Sequence, residues 1–242
     1  MNTTWFCGID EAGRGPVVGP LVVAICSIPI DQINLLDVMN VRDSKQMSSK
    51  RRKEIVDWYE DQAQAHDWQF EIIVIETNEI DIAVYEKQLN VLETEKFAEA
   101  ISMLNLQGKK DIIADACDTI PDRFTQNIVE RIENYDSSDT NLVSEHKADQ
   151  HHRIVSMASI LAKYYRDKAI EEIQASFDFE IGSGYPSDPK TRNALRFLIK
   201  EPFPHECLRW SWKTVQNYWT EHFNSPIPLR TKHGINQQST LF

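Results

Sequence analysis

Cysteine is scarce in this chain. There are four, Cys7, Cys26, Cys117 and Cys207, and none stands in Cys-x-x-Cys spacing. That argues against a zinc site or a disulfide framework and fits a reducing compartment. The four read as small buried hydrophobes. No run approaches the roughly 18 uninterrupted apolar residues of a membrane span. The N-terminus lacks a basic stretch followed by an apolar run and a small-residue cleavage site, so no secretory signal is expected and a cytoplasmic location is. Internal repeats and low-complexity segments are missing too. An excess of positive charge is also absent: the net charge of the 242 residues is -11. What remains, 41% hydrophobic and 26% charged residues, is ordinary for a soluble globular chain. The length suits one well-buried domain with an appendage, or two small domains.

The acidity is uneven. Residues 54 to 149 carry 23 acids against 7 bases, whereas 43 to 53 have a net of +4 and 186 to 213 a net of +3. Local basic patches of this kind contact phosphates while bulk acidity limits salt-driven non-specific binding. A mixed-charge helix face that is merely solvated is the competing reading for each patch.

Hydrophobic patterning predicts strands at 5–10 and 17–27, the second a continuous β-branched run suited to burial on both faces. Ser48 is a candidate N-cap for a helix over 49–65, with Ile55, Val56 and Tyr59 inward. A third strand is expected at 68–75, a helix in two pieces at 78–106, and a short strand at 111–115. Pro121 suits the first turn of a helix to about 133. A fifth strand over 142–147 leads into one long helix over 149–176. Two more helices are expected near 190–200 and 212–223, and the chain after Pro226 has no periodicity. Strands that come early in pairs and then alternate with helices point to a mixed sheet flanked by helices, with a helical end.

The informative stretch is Cys7 to Pro16, CGIDEAGRGP. An apolar strand ends in two adjacent carboxylates, followed at once by a Gly-Arg-Gly-Pro turn. Neighbouring side chains of a strand point to opposite faces, so Asp10 and Glu11 meet only where the strand breaks into the glycine turn. Two carboxylates beside an arginine held between glycines suit a divalent metal next to a phosphate, and a hairpin entry with solvated acids is the alternative. Asp115 and Asp149 also fall at strand ends or strand-to-helix steps, where active sites of helix-flanked sheets gather. Four oxygen ligands without a Cys-His set favour Mg²⁺ or Mn²⁺ over zinc. Two such ions about 4 Å apart activate a water and stabilise a leaving oxygen in phosphodiester hydrolysis. A lone aspartate is otherwise a helix cap or a surface acid. His146 and the pair His151 and His152 read as a nearby base or as surface histidines rather than ligands.

With these residues in place the sequence resembles the ribonuclease HII family, the type 2 ribonuclease H group in its archaeal and eukaryotic-like form. The resemblance rests on GIDEAGRGP (8–16), VGPL (18–21), DSK (43–45), DA (115–116), HKAD (146–149), SILAK (159–163), RD (166–167), GSGYPSDP (182–189) and SWKT (211–214). These stand in family order and cover about residues 5 to 220. The resemblance implies a ribonuclease H-like α/β fold, a central five-stranded mixed sheet flanked by helices, with a helical C-terminal part. It implies a catalytic domain over 1–224, its helical part at about 177–224, and a flexible tail over 225–242.

The implied activity is endonucleolytic: hydrolysis of the RNA strand of RNA/DNA hybrids, and nicking 5′ to single ribonucleotides in duplex DNA with 5′-phosphate and 3′-hydroxyl products. By motif, Asp10, Glu11, Asp115 and Asp149 match the catalytic metal-binding carboxylates, for two divalent ions. Gly13, Arg14 and Gly15 match the loop that senses the 2′-hydroxyl, the one group separating RNA from DNA at a site. Tyr185 matches the tyrosine that stacks on the sugar after the ribonucleotide; without the family a core-packed aromatic is the simpler reading. Lys45 matches a position near the scissile phosphates. Ser159 to Ala162 reads as core. The end of the chain, Gln238-Ser239-Thr240-Leu241-Phe242, looks like the start of the peptide that docks on the DNA sliding clamp (PCNA), but with one aromatic of the usual two. Gln238, Leu241 and Phe242 are its candidate contacts, in a segment that would fold on binding. The protein is expected to be a monomer. A non-catalytic hybrid-binding protein and a different metal nuclease of the same fold, such as a junction resolvase, are the competitors. Four intact acidic positions count against the first, and the Gly-Arg-Gly turn with Tyr185 against the second.

Overall fold

The computed structural model describes residues 3–41 and 47–236. Its main sheet is built from β1 (Thr4–Ala12), β2 (Leu21–Pro29), β3 (Phe70–Ile75), β4 (Lys109–Asp115) and β5 (Thr140–Glu145), in the order β3-β2-β1-β4-β5. β1 runs antiparallel to β2 and parallel to β4, and β4 runs parallel to β5. The helices are α1 (Leu35–Val38), α2 (Ser49–His66), α3 (Thr77–Tyr85), α4 (Leu89–Met103), α5 (Pro121–Val129), α6 (Ala148–His151), α7 (Arg153–Ala175), α8 (Pro189–Leu198) and α9 (Lys213–His222). A small hairpin, β6 (Leu229–Thr231) and β7 (Gly234–Asn236), ends the described chain. This is the expected five-stranded mixed sheet flanked by helices. Among the described residues no helix is long and apolar enough to cross a membrane.

The chain forms two compact units interleaved in sequence. The first comprises residues 1–12, 22–73 and 90–165, the second 13–21, 74–89 and 166–242.

The first unit holds most of the sheet. Its core joins Ala24, Cys26 and Ile28 of β2 to Ile55, Val56 and Tyr59 of α2 and to Ile154, Ala158 and Leu161 of α7. Full burial of side chains this size contributes about 1.5–3 kcal/mol each. Ser48 caps α2 as expected, accepting from the Arg51 amide at 3.2 Å. Tyr59 donates to the Ser27 carbonyl at 2.8 Å, so its buried hydroxyl is satisfied. α4 and α5 meet through Phe97 and Phe124, ring centroids 5.1 Å apart. Gly8 of β1 lies directly under the start of α7. A methyl there would overlap the Ile154 carbonyl group and come within 2.6 Å of the Val155 nitrogen.

The second unit has its own core of Val17, Val18, Ile170, Ile181, Leu195, Leu198, Leu208, Trp210, Val215 and Trp219. Here the structure departs from the pattern in the sequence. Val17 and Val18 were expected to open the second strand, but that strand starts at Leu21. Pro16 and Pro20 each lack an amide for a ladder, and Val17 instead donates to the Gly184 carbonyl at 2.8 Å and accepts from the Arg209 amide at 2.9 Å. The helix expected over 149–176 is also broken in two. His152 is extended between α6 and α7, its ring 2.8 Å from the Glu145 carboxylate.

Residues 225–242 were expected as a flexible tail, yet β6 and β7 occupy part of them. Arg230, 7% exposed, explains why. It donates to the Asp81 carboxylate at 2.9 Å, to Thr77 and to the carbonyls of Leu208 and Glu206, and lies over the Trp210 ring. The other Asp81 contacts come from the Trp210 amide at 2.8 Å and from the Ser211 amide and hydroxyl at 2.9 and 2.5 Å. Burial pushes the Asp81 carboxyl up, and these donors and the Arg230 charge oppose the shift.

Candidate active site

The parallel strands β1, β4 and β5 carry their acids to one edge. Ile9 pairs with Ala114 and Asp115 with Glu145, so Asp10 lies level with Asp115. After β5 the chain turns through Lys147, at φ 58°, and sets Asp149 in the first turn of α6. Asp115 Oδ1 accepts from the Ala148 amide at 3.1 Å, tying that turn to β4. The Ser156 hydroxyl of α7 donates to the Asp149 carbonyl. Asp10, Asp115 and Asp149 each bring an oxygen within 4.8 Å of the other two. Asp10 and Asp149 are buried and Asp115 is half-buried.

Like charges gathered away from water are unfavourable. Burial, and next the Asp115 charge, push the Asp10 carboxyl from 3.8 up to about 7. A hydrogen bond from Ser159, the Lys163 charge and the Glu11 amide, 2.7 Å from Asp10 Oδ1, act in the opposite direction. Lys163 in turn donates to the Ser159 hydroxyl at 2.7 Å, so the two form a relay along one face of α7 onto Asp10. A cation between the acids removes the repulsion. Because every donor is a carboxylate oxygen, the group fits a hard divalent ion.

The second unit carries the turn that follows β1. Gly13 is buried at φ 94°, where a side chain is strained and a methyl would lie 2.8 Å from the Pro20 carbonyl oxygen and 3.1 Å from Arg166 Cγ. Gly15 is exposed, and a methyl there would make only an ordinary 3.6 Å contact with the Tyr185 ring. Tyr185, 39% exposed, has the guanidinium of Arg166 4.9 Å from its centroid. Arg166 is buried and donates to the Ser183 carbonyl at 2.6 Å. Arg209, with no exposed surface, donates to the carbonyls of Gly19, Arg14 and Gly13 at 3.0, 3.0 and 2.6 Å.

Comparison with known proteins identifies the lineage. A family model described as ribonuclease HII matches residues 7–215. The chain belongs to the ribonuclease HII family. It is 40% identical over 212 residues to ribonuclease HII of Thermococcus kodakarensis, covering 86% of this chain and 87% of that one. The solved ribonuclease H2 of Pyrococcus horikoshii OT3 superposes with a TM-score of 0.76 at 33% identity, over 90% of this chain and 98% of that one. A structure of the PCNA:RNase HII complex from Archaeoglobus fulgidus matches with a TM-score of 0.73 at 33% identity, over 86% and 95% of the two chains. As a member of that family the protein is a ribonuclease H-type endonuclease that acts on RNA paired with DNA. The family uses divalent metals, and the buried aspartate group is compatible with them.

Of the four carboxylates singled out in the sequence, three come together and Glu11 stands outside their group. β1 does not break after Asp10 but runs on to Ala12, which pairs with Val22, so Asp10 and Glu11 keep the alternation of a strand. Glu11 still buries its Oε2 atom. Gly15 and Tyr185 border one another in the second unit. Lys45, Gln238, Leu241 and Phe242 lie outside the described residues. Two of the histidines have other partners, His146 at the Thr119 carbonyl and His152 at Glu145. Sequence reasoning took Ser159 as core. It has no exposed surface, but its hydroxyl serves Asp10, and the i, i+4 spacing to Lys163 was the available signal. Arg209, counted in the basic patch of 186–213, is internal.

Proposed function

We propose that this enzyme hydrolyses the RNA strand of RNA/DNA hybrids and nicks duplex DNA on the 5′ side of single embedded ribonucleotides, leaving a 5′-phosphate and a 3′-hydroxyl. The observation that carries the reading is the buried group of Asp10, Asp115 and Asp149 in a chain of this family. Those aspartates, with Glu11 as a fourth carboxylate, would hold two divalent ions, Mg²⁺ or Mn²⁺. Such ions, when bound, supply activation of a water and stabilisation of the leaving oxygen. The protein's own part is to hold the carboxylates ionised and fixed. Ser159 and Lys163 do this for Asp10, and the Ala148 amide does it for Asp115.

Discrimination falls to the second unit. The Gly13-Arg14-Gly15 turn lets backbone approach the sugar at the 2′-hydroxyl, and the exposed face of Tyr185 stacks on the following sugar and excludes a second 2′-hydroxyl by shape. Residues 1–224 act as the catalytic domain, in cytoplasmic ribonucleotide removal and RNA primer processing. Lys45 serves the scissile phosphates, and Gln238, Leu241 and Phe242 dock on the sliding clamp, as the complex of the Archaeoglobus fulgidus relative with PCNA supports. The enzyme acts as a monomer.

The test is cleavage of a labelled DNA duplex containing one ribonucleotide, with Mg²⁺, with Mn²⁺ and with chelator. A metal-dependent nick immediately 5′ to the ribonucleotide is expected. Cleavage of a long RNA/DNA hybrid without that nick would remove the single-ribonucleotide activity. Silence of the folded protein on both substrates would leave hybrid binding without chemistry.

A further inference from the structure

Arg209 is a cation with no exposed surface. A buried guanidinium has to be satisfied by hydrogen bonds. Here its Nε, Nη1 and Nη2 atoms reach the carbonyls of Gly19, Arg14 and Gly13. The Trp212 indole adds the next carbonyl of the series, donating to Gly15 at 3.3 Å, and its ring lies 4.8 Å from the Arg209 guanidinium carbon. Three consecutive carbonyls, of Gly13, Arg14 and Gly15, are thus drawn toward one side of the turn.

The peptide bonds of this turn are trans. In a planar trans peptide the N–H points opposite to the C=O. Fixing the Gly13 and Arg14 carbonyls on Arg209 therefore turns the Arg14 and Gly15 amides to the opposite side. Two successive N–H groups on one side form a small concavity for an oxygen acceptor. Arg209 and Trp212 flank Trp210 and Ser211, whose amides are held by Asp81, so the donors of the turn rest on an anchored segment.

We propose that Arg209 and Trp212 are positioning residues for ribonucleotide recognition: they hold the carbonyls of the Gly13–Gly15 turn so that the Arg14 and Gly15 amides face the sugar–phosphate backbone at the ribonucleotide. This rests on the reading of the turn as the sensor of the 2′-hydroxyl. What it adds is that the direction of those amides is set from behind by one guanidinium.

The test uses Arg209→Lys, which keeps the charge but replaces a three-armed fork by a single ammonium that cannot span the same carbonyls. Backbone ¹⁵N order parameters of Arg14 and Gly15 are measured without substrate. They are expected at about 0.85 in wild type, the rigid range, and below about 0.6 in the variant. Steady-state nicking of the single-ribonucleotide duplex should then show KM raised about tenfold with kcat within about twofold, the pattern of lost binding rather than lost chemistry. A merely structural role would lower the active fraction at unchanged KM. A folded Arg209→Lys protein with unchanged order parameters and unchanged KM overturns the proposal.

If Arg209→Lys does not fold, Trp212→Leu removes only the Gly15 donor and the stacked ring. It should move KM and the Gly15 amide in the same direction by a smaller factor, and no movement in either overturns the proposal. A wild-type enzyme that fails to nick at the ribonucleotide would sink the functional reading instead, and the order parameters would still decide whether Arg209 sets the turn.

Discussion

The two units of the chain handle buried charge in opposite ways. At the sheet edge, Asp10, Asp115 and Asp149 crowd negative charge into a poorly solvated group, and the Asp10 carboxyl rises to about 7 as a result. In the second unit two buried arginines are spread over partners within the chain: Arg209 on the Gly13–Gly15 turn, Arg230 on Asp81. The first arrangement is unfavourable until a cation arrives, as a site meant to bind metal requires. The second satisfies Arg209 and Arg230 within the chain, which suits the recognition proposed for the Gly13–Gly15 turn. On that reading, electrostatic strain falls at the place of chemistry and electrostatic satisfaction at the place of recognition.

The largest way to break this contrast is Asp10→Asn. Cleavage should fall by about 10³-fold or more, the scale of lost transition-state charge stabilisation by metal. The same change should stabilise the metal-free protein at pH 8. A carboxyl raised from 3.8 to about 7 binds its proton more tightly in the native state. Its contribution to stability is full below about pH 4 and is lost as pH rises to about 7, whereas asparagine loses nothing. Thermal melts in chelator at pH 5 and pH 8 check this, and saturating divalent ion should reverse the order of the two proteins. A variant that turns over like wild type, or melts lower than it in chelator at pH 8, would take Asp10 out of the strained site.

Gly13→Ala should come next. A side chain at φ 94°, pressed on the Pro20 carbonyl and Arg166, should cost about 2 kcal/mol in urea unfolding. A loss below about 0.5 kcal/mol would mean that the turn relaxes and is not held rigid. Tyr185→Ala should lower kcat/KM on a single embedded ribonucleotide by about tenfold, within the range for aromatic stacking on nucleotides, and by less on a long hybrid. Equal losses on both substrates would undo its junction-sensing role. Smallest is Gly15→Ala, whose unfolding free energy should stay within about 0.5 kcal/mol of wild type because only the Tyr185 ring lies near. Its ribonucleotide selectivity should nevertheless drop. Unchanged selectivity would show that close backbone approach at Gly15 is not needed.

Much of the first unit was legible in the sequence because its signals are local. β1, β4 and β5 each announce themselves by a short apolar run, and their acids stand just beyond it. Glu11 is the exception: the continuation of β1 through Ala12 depends on pairing with Val22, across a turn whose shape the residues alone do not state. The second unit was less legible. Asp81 and Arg230 are 149 residues apart and belong to no shared periodicity, so the hairpin they anchor read as tail. Arg209 stands among six bases and read as a surface cation, because composition does not show which member of a patch turns inward.

Gly8 has a consequence of scale. The first residues of α7 rest on it, and Ser159 reaches Asp10 further along the same helix. From Ile154 to Ser159 a helix advances about 7.5 Å, and from Gly8 to Asp10 a strand advances about 6.8 Å. The two advances are similar, so a change in the Gly8 contact with Ile154 and Val155 is carried to the Ser159 contact with Asp10. Gly8 is the gauge block of the catalytic edge: a methyl inserted there would act as a shim, opening the gap between Ser159 and Asp10 without altering a single acid.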